Sequence, residues 1–199
     1  MLEKQQQLPQ TQLTDTDKFI YCLEGVDDIE TAQVTETQKN LEDLALQYGV
    51  NSIYNTCDTI EGLDTCLSTL IMDDHHFTDY EIIYLVLTGE ANSICLNDYY
   101  YSLQEIAELF EGKLTDKILH FSNAKVLDLD EEEAQYFLDI TGAKAISGYG
   151  YTFSGMSSVN LDKAFINLFK EDENIRDVVE ALHQRHYKVC KLLDFRLYY

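Results

Sequence analysis

The sequence predicts an α/β domain in which helices cover both faces of a mainly parallel sheet. Short apolar runs rich in β-branched residues alternate with longer stretches whose apolar residues recur at helical spacing. One run, Tyr80–Leu87 (YEIIYLVL), is apolar almost throughout, which is typical of a central strand buried on both faces. Because strands that alternate with helices pair through right-handed crossovers, the sheet is expected to be parallel.

The first half of the domain predicts three strands and two helices. In the order strand, helix, strand, helix, strand they are Lys18–Glu24, Thr37–Tyr48, Val50–Thr56, Ile60–Ile71 and Tyr80–Leu87. Gly25 follows the first strand and Gly49 follows the first helix, where glycines often end such elements. Asp58 is a suitable N-cap for the second helix.

The second half continues the alternation and ends with two consecutive helices. The predicted elements are a short strand Ser93–Leu96, a helix Ser102–Phe110, a strand Lys117–Phe121, a helix Asp130–Gly142, a strand Lys144–Ser147, helices Leu161–Lys170 and Ile175–Leu193, and an edge strand Phe195–Tyr199. A Gly/Ser-rich loop is expected over residues 148–158, and a tyrosine-rich loop over residues 98–101.

Length and composition are those of a single globular domain with a tail. The 199 residues are 45% hydrophobic and 25% charged, a balance that is sufficient to bury a core. Residues 1–17 are rich in Gln, Thr and Asp and predict a flexible polar tail, whereas residues 18–199 predict one domain without internal repeats.

The charge is strongly negative, with 14 Lys and Arg against 36 Asp and Glu and a net charge of −22. Such a field repels nucleic acids and anionic membranes, so neither is an expected partner. In most acidic proteins the negative charge only keeps the protein in solution. Two alternatives remain open, which are the attraction of a basic partner protein and an acidic decoy that occupies a basic groove.

The remaining composition favours a cytoplasmic protein without cofactors. The five cysteines include no CxxC pair, which argues against a disulfide framework or a zinc knuckle. The N-terminus has no apolar segment of a secretory signal, and no apolar run is long enough to span a membrane. Neither GxGxxG nor GxxxxGK[ST] is present, so nucleotide binding is disfavoured.

Several segments, in order along residues 18–199, resemble small bacterial caspase-like proteins related to the CHAT-type cysteine proteases. The segments are FIYCLEGV, EIIYLVLTGEANSICL, KILHFSNAKVLD, LDITGAKAISGY and DFRLY. The resemblance implies a three-layer α/β sandwich with a mainly parallel caspase-like sheet. It also implies a setting in a bacterial or phage defence-related system.

The resemblance further implies that the catalytic pair of this family is missing. In its proteases one strand ends in His-Gly and the next in a segment with Cys, so that the imidazole activates the thiol. Here Thr88 stands where the family has His, with Gly89 retained, and Ala124 stands where it has Cys. The sequence therefore predicts a pseudoprotease with no catalytic residues.

Other nucleophiles and ligands are less favoured. Cys57 at the end of the second strand, or Ser122 at the end of the fourth, is the nucleophile in the alternative of a hydrolase with a non-standard site. The cluster Asp73–His76 and the pair His183 and His186 have residue types that bind metals, but hydrated surface positions explain them better, so no metal is expected.

The predicted function is therefore to bind or regulate another protein, either a basic one or an active protease relative. The candidate binding residues lie at or near the carboxyl ends of the strands, where open α/β sheets bind ligands: Glu24, Asp27, Asp28, Gly89, Glu90, Ser122, Asn123, Tyr149 and Tyr151. The acidic members match the pocket that the resemblance implies for a basic side chain. The tyrosines match the aromatic enrichment of protein interfaces. The oligomeric state is left open.

Overall fold

The computed structural model describes residues 19–29, 34–73, 77–122, 127–151, 157–172 and 174–199, so the predicted tail lies outside it. The strands are β1 (Phe19–Gly25), β2 (Asn51–Cys57), β3 (Tyr80–Val86), β4 (Thr88–Glu90), β5 (Ser93–Leu96), β6 (Tyr99–Ser102), β7 (Ile118–Ser122), β8 (Ala145–Tyr149) and β9 (Phe195–Tyr198). The helices are α1 (Glu36–Tyr48), α2 (Ile60–Asp73), α3 (Leu103–Leu109), α4 (Glu131–Thr141), α5 (Val159–Glu171) and α6 (Ile175–Leu193).

The central sheet has six strands in the order β2-β1-β3-β7-β8-β9. All neighbouring pairs are parallel except β8 and β9, which are antiparallel. The continuous apolar run of β3 therefore lies in the interior of the sheet, between β1 and β7, as its composition predicts.

Helices cover both faces of this sheet and enclose two hydrophobic cores. The core on one face includes Leu67 of α2, Ile106 of α3 and Phe137 of α4. The core on the other face includes Leu44 of α1, Phe165 of α5 and Leu182 of α6. The predicted fold class, a three-layer α/β sandwich around a mainly parallel sheet, is confirmed.

Local signals explain where several helices begin and end. α3 and α4 each begin with a capping box. The side chains of Ser102 and Asp130 accept hydrogen bonds from the backbone N–H of Glu105 and Glu133. The side chains of these two glutamates accept hydrogen bonds from the backbone N–H of Ser102 and Asp130 in turn. α1 and α4 end at Gly49 and Gly142, both in the left-handed region at φ values of 64° and 75°.

One region differs from the prediction. The chain leaves the central sheet after β3 and forms a second, antiparallel sheet in the order β4-β5-β6. Residues Tyr99–Tyr101, predicted as a loop, belong to β6, and Thr88–Glu90 forms β4. The prediction was wrong because these strands are short and are defined by pairing with β5, across turns in which Ala91, Asn92, Asn97 and Asp98 have positive φ.

Candidate functional site

The carboxyl ends of the parallel strands β1, β3, β7 and β8 meet at one edge of the central sheet, where open α/β folds bind ligands. Glu24 and Gly25 end β1, Ser122 ends β7 and Tyr149 ends β8. This edge therefore holds several of the residues that the sequence singles out.

Thr88 lies beyond the tip of β3, in β4 of the small sheet, and is exposed. Its Oγ1 donates a hydrogen bond to the carbonyl of Cys95 at 3.3 Å. A hydroxyl does not act as a general base near neutral pH. Close packing explains why the neighbouring residue is Gly89, since a Cβ at this position would lie 2.2 Å from the carbonyl oxygen of Ser93. The tip of β3 thus offers no base at Thr88.

The tip of β7 is described only as far as Ser122. Asn123 and Ala124 lie outside the described residues. Ser122 itself is fully buried, so its predicted place on a partner-binding surface was wrong. The strand turns the Ser122 side chain toward α5 rather than toward solvent, and there it contacts Asp162 and Ser158.

Behind this edge lies a set of seven buried polar side chains, which we name the Asp162 cluster. Its members are Tyr84 on β3, His120 and Ser122 on β7, Ser147 and Tyr149 on β8, and Ser158 and Asp162 at the start of α5. The carboxylate accepts five side-chain hydrogen bonds: from Ser122 Oγ at 2.5 Å, Tyr84 OH at 2.8 Å, His120 Nε2 at 3.0 Å, Ser158 Oγ at 3.1 Å and the hydroxyl of Tyr149. A buried charge thus receives a dense set of donors.

These contacts control ionisation within the cluster. Burial by itself raises the pKa of Asp162, but hydrogen bonds from His120, Ser122 and Tyr149 and the attraction of His120 outweigh it, so the pKa lies below its ordinary value. Burial and the negative charge of Asp162 together raise the pKa of Tyr84 and Tyr149 well above their ordinary value. Asp162 is therefore ionised at neutral pH and the two tyrosines are protonated.

Three members are connected in the order of a catalytic triad. Ser147 Oγ lies 2.9 Å from His120 Nδ1, and His120 Nε2 lies 3.0 Å from Asp162 Oδ1. A triad acts only if its hydroxyl reaches a substrate, yet Ser147 and His120 are both 0% exposed. The imidazole is covered by the rings of Tyr84 at 5.7 Å and Phe165 at 5.0 Å. In this conformation the arrangement satisfies buried polar groups and presents no nucleophile to solvent.

Sequence reasoning missed Asp162, although a signal was present. Asp162 shares the i, i+3, i+4, i+7 spacing of one helix face with Phe165, Ile166 and Phe169, which are all buried. A carboxylate on an apolar face needs partners, and the partners are the polar residues within the otherwise apolar strands β3, β7 and β8.

Four of the five cysteines have a raised pKa, which disfavours their action as nucleophiles. Cys57 is fully buried, and burial raises its pKa to about 12, so the thiolate is scarce at neutral pH. Burial also raises the pKa of Cys22, Cys66 and Cys190. The thiols of Cys66 and Cys190 donate to main-chain carbonyls, of Thr56 and Leu182 respectively.

Among the predicted acidic binding residues, Glu24 has a structural use. Its carboxylate accepts hydrogen bonds from Thr37 Oγ1 at 2.7 Å and Tyr54 OH at 2.6 Å, which fixes α1 and β2 beside the end of β1. Burial and the Glu24 hydrogen bond raise the pKa of Tyr54 to about 12. Asp27, Asp28 and Glu90 are exposed, and their role in binding a basic side chain stays a prediction.

The two predicted loop tyrosines have different environments. Tyr149 is the last residue of β8 and is 0% exposed, so its predicted place on a surface loop was wrong. The strand extends beyond Ser147 because its tip pairs with β9, where Tyr149 faces Phe195. Tyr151 is 51% exposed and remains a candidate contact for a partner.

The described residues contain neither a cluster of metal ligands nor a membrane-spanning helix. In the part of the chain that the structure describes, no group of three or more His, Cys, Asp or Glu side chains is placed to hold a metal ion. His75 and His76 lie outside that part, and His183 and His186 lie on α6. No helix among the described residues combines the length and apolar character needed to cross a bilayer.

Comparison with known proteins gives likenesses to solved structures and one family. The crystal structure of the Drosophila initiator caspase Dronc is similar with a TM-score of 0.48 and 12% sequence identity, over 84% of this chain and 72% of the caspase. No curated protein matches the chain. The family of unknown function DUF6642 matches residues 17–199, and the chain therefore belongs to DUF6642.

Proposed function

We propose that this protein is a catalytically inactive, caspase-like pseudoprotease that works by binding another protein. The observation that carries the proposal is the state of His120. Of the three histidines within the described residues it is the one on the sheet, and it is fully buried with both ring nitrogens hydrogen-bonded. An imidazole in this state does not exchange protons with a bound substrate.

The environments of the candidate nucleophiles support the same proposal. Cys57 is buried with a raised pKa, and Ser122 donates its hydroxyl hydrogen to Asp162 deep in the core. Neither group reaches a substrate without a local opening of the fold. The alternative of a hydrolase built on Cys57 or Ser122 is therefore disfavoured.

Exposed aromatic side chains support the binding part of the proposal. Tyr99 and Tyr100 on β6 are 65% and 60% exposed, and Tyr151 is 51% exposed. Tyrosines contribute large contact areas at low entropic cost and are enriched in protein interfaces. The expected setting in a bacterial or phage defence-related system belongs to the proposal and rests on the sequence resemblance.

Labelling with active-site probes tests the proposal. The folded chain is incubated with a fluorophosphonate, which reacts with activated serines, and with a peptidyl acyloxymethyl ketone, which reacts with activated cysteines. We expect no labelling by either probe, and no hydrolysis of fluorogenic Lys or Arg peptides, because no described nucleophile is both exposed and activated. A serine hydrolase is the positive control for the fluorophosphonate, and a cysteine protease that cleaves after Lys or Arg is the positive control for the ketone and for the peptides.

A single stoichiometrically modified residue, identified by mass spectrometry and lost on heat denaturation, would contradict the proposal. Modification of Cys57 or Ser122 in particular would support the hydrolase alternative. Cysteines that react only after denaturation agree with their burial in the native state.

A further inference from the structure

A pocket of about 400 Å³ lies between α3, α4 and the small sheet, on the opposite face of the central sheet from the Asp162 cluster. Its floor is apolar and is formed by the buried side chains of Leu103, Leu129 and Phe137. A floor of this kind favours a ligand that covers it with aliphatic or aromatic atoms.

Two glutamates, Glu132 and Glu133, line the pocket, and the two helices beside it are acidic. α3 and α4 together carry several Asp and Glu residues and no Lys or Arg: Glu105, Glu108, Glu131, Glu132, Glu133 and Asp139. Two of these side chains are used locally, since Glu105 and Glu133 complete the capping boxes. Glu132 lines the pocket, is exposed, and has no hydrogen-bond partner among the described residues.

An aromatic ring completes the wall. Tyr136 lines the pocket with 38% of its surface exposed, and its hydroxyl donates to Glu108 at 3.2 Å. A guanidinium or ammonium group over such a ring is attracted by the negative face of the ring. The pocket thus combines apolar contact for a side-chain stem with two attractions for a cationic end.

On the basis of the proposed binding function, we propose that this pocket takes an arginine or lysine side chain from a basic segment of the partner protein. The aliphatic stem covers Leu103 and Leu129, and the cation lies against Glu132 and the ring of Tyr136. The net charge of −22 attracts a basic partner at long range, and the pocket fixes its position at short range. None of the acidic residues predicted from the sequence lines this pocket.

Peptide titration tests this inference. The probe is a short fluorescein-labelled peptide of alternating Arg and Leu, and fluorescence anisotropy reports its binding to the full chain at low salt. Glu132→Lys is expected to weaken binding about tenfold or more, because it places a cation against the incoming cation. Gln104→Trp is expected to weaken binding similarly, because it fills the pocket from an exposed helix position.

Each variant has a matched control. Glu131→Lys makes the same charge change in the same first turn of α4, and Gln135→Trp adds the same side chain at an exposed position, yet neither residue lines the pocket. Both controls are expected to bind within about twofold of the unaltered chain. Circular dichroism confirms that all four variants are folded.

The outcomes separate this inference from the proposed function. If both Lys variants weaken binding equally, or if Gln104→Trp has no effect, or if the unaltered chain does not bind, the pocket is not the site. These results leave the proposal of an inactive protein untouched. The peptide is recovered after titration and weighed by mass spectrometry, and a cleaved peptide would instead contradict the proposed function.

Discussion

Replacing Asp162 with asparagine is expected to lower the free energy of unfolding by about 3 kcal/mol, because a buried donor that loses its charged acceptor costs about 1–3 kcal/mol and Asp162 serves several donors. The substitution keeps the shape of the side chain but removes the charge, and it turns one acceptor into a donor. At least one of the five donors around Asp162 is then buried without a partner. Such a loss is a large part of the stability of an ordinary domain.

Urea unfolding followed by circular dichroism measures this effect. The control is Asp139→Asn, which makes the same chemical change at an exposed position of α4, where Gln135 is the side-chain donor to the carboxylate among the described residues. We expect the control to change the free energy of unfolding by less than about 0.5 kcal/mol. A similar, small effect for both variants would show that the buried network contributes nothing specific.

The destabilisation caused by Asp162→Asn is expected to depend on pH. The pKa of Asp162 is lowered in the folded state, so the folded state binds fewer protons at this site than the unfolded state. The stabilisation is present above the unfolded pKa of about 4 and is lost as the pH falls through the folded pKa. The difference in stability between the unaltered chain and Asp162→Asn should therefore shrink in acid. A difference that is constant from neutral pH to pH values below about 4 would contradict this assignment.

The predictable parts of the fold have local causes. The strands β1, β3 and β7 are predicted by apolar runs in the sequence. The ends of α1 and α4 are predicted by Gly49 and Gly142, because a single glycine is enough to adopt the left-handed conformation that ends a helix. The small sheet was missed because β4 has three residues, too few to show alternation. Its existence depends on pairing with β5 across a turn with positive φ at Ala91 and Asn92.

The candidate site was harder to predict because its contacts are distant in sequence. Tyr84 and Asp162 are separated by 78 positions, and His120 and Asp162 by 42. The apolar runs in the sequence place Thr88 and Ser122 near strand ends. They do not show whether the Ser122 side chain points to solvent or into the core. That direction depends on α5 packing across β7, a tertiary contact that side-chain periodicity alone does not supply.

Gly148 explains how β8 presents its polar side chains to the Asp162 cluster. Ser147 and Tyr149 flank Gly148, and both point to the face of the sheet that α5 covers, where they contact His120 and Asp162. On the opposite face, a Cβ on Gly148 would lie 2.8 Å from the carbonyl oxygen of Phe121 and 3.0 Å from Cδ1 of Leu127. The absent side chain lets β8 lie close to β7 at this point.

Gly148→Ala is therefore expected to lower the free energy of unfolding by about 1–3 kcal/mol, since the backbone of β7 must move to admit the methyl group. Gly62→Ala is the matched control. Its Cβ would meet Thr59 Oγ1 at 3.3 Å and Cys57 Cβ at 3.4 Å, and alanine is favoured over glycine in a helix such as α2 by about 0.5–1 kcal/mol, which offsets the crowding. Equal urea midpoints for the two variants would contradict the close approach of β7 and β8.

Gly148→Ala also tests whether the spacing of β7 and β8 is coupled to the ionisation of Asp162. Moving the tip of β8 displaces the Tyr149 hydroxyl, which donates a hydrogen bond to the Asp162 carboxylate. If the two are coupled, Gly148→Ala weakens the acid dependence attributed to Asp162.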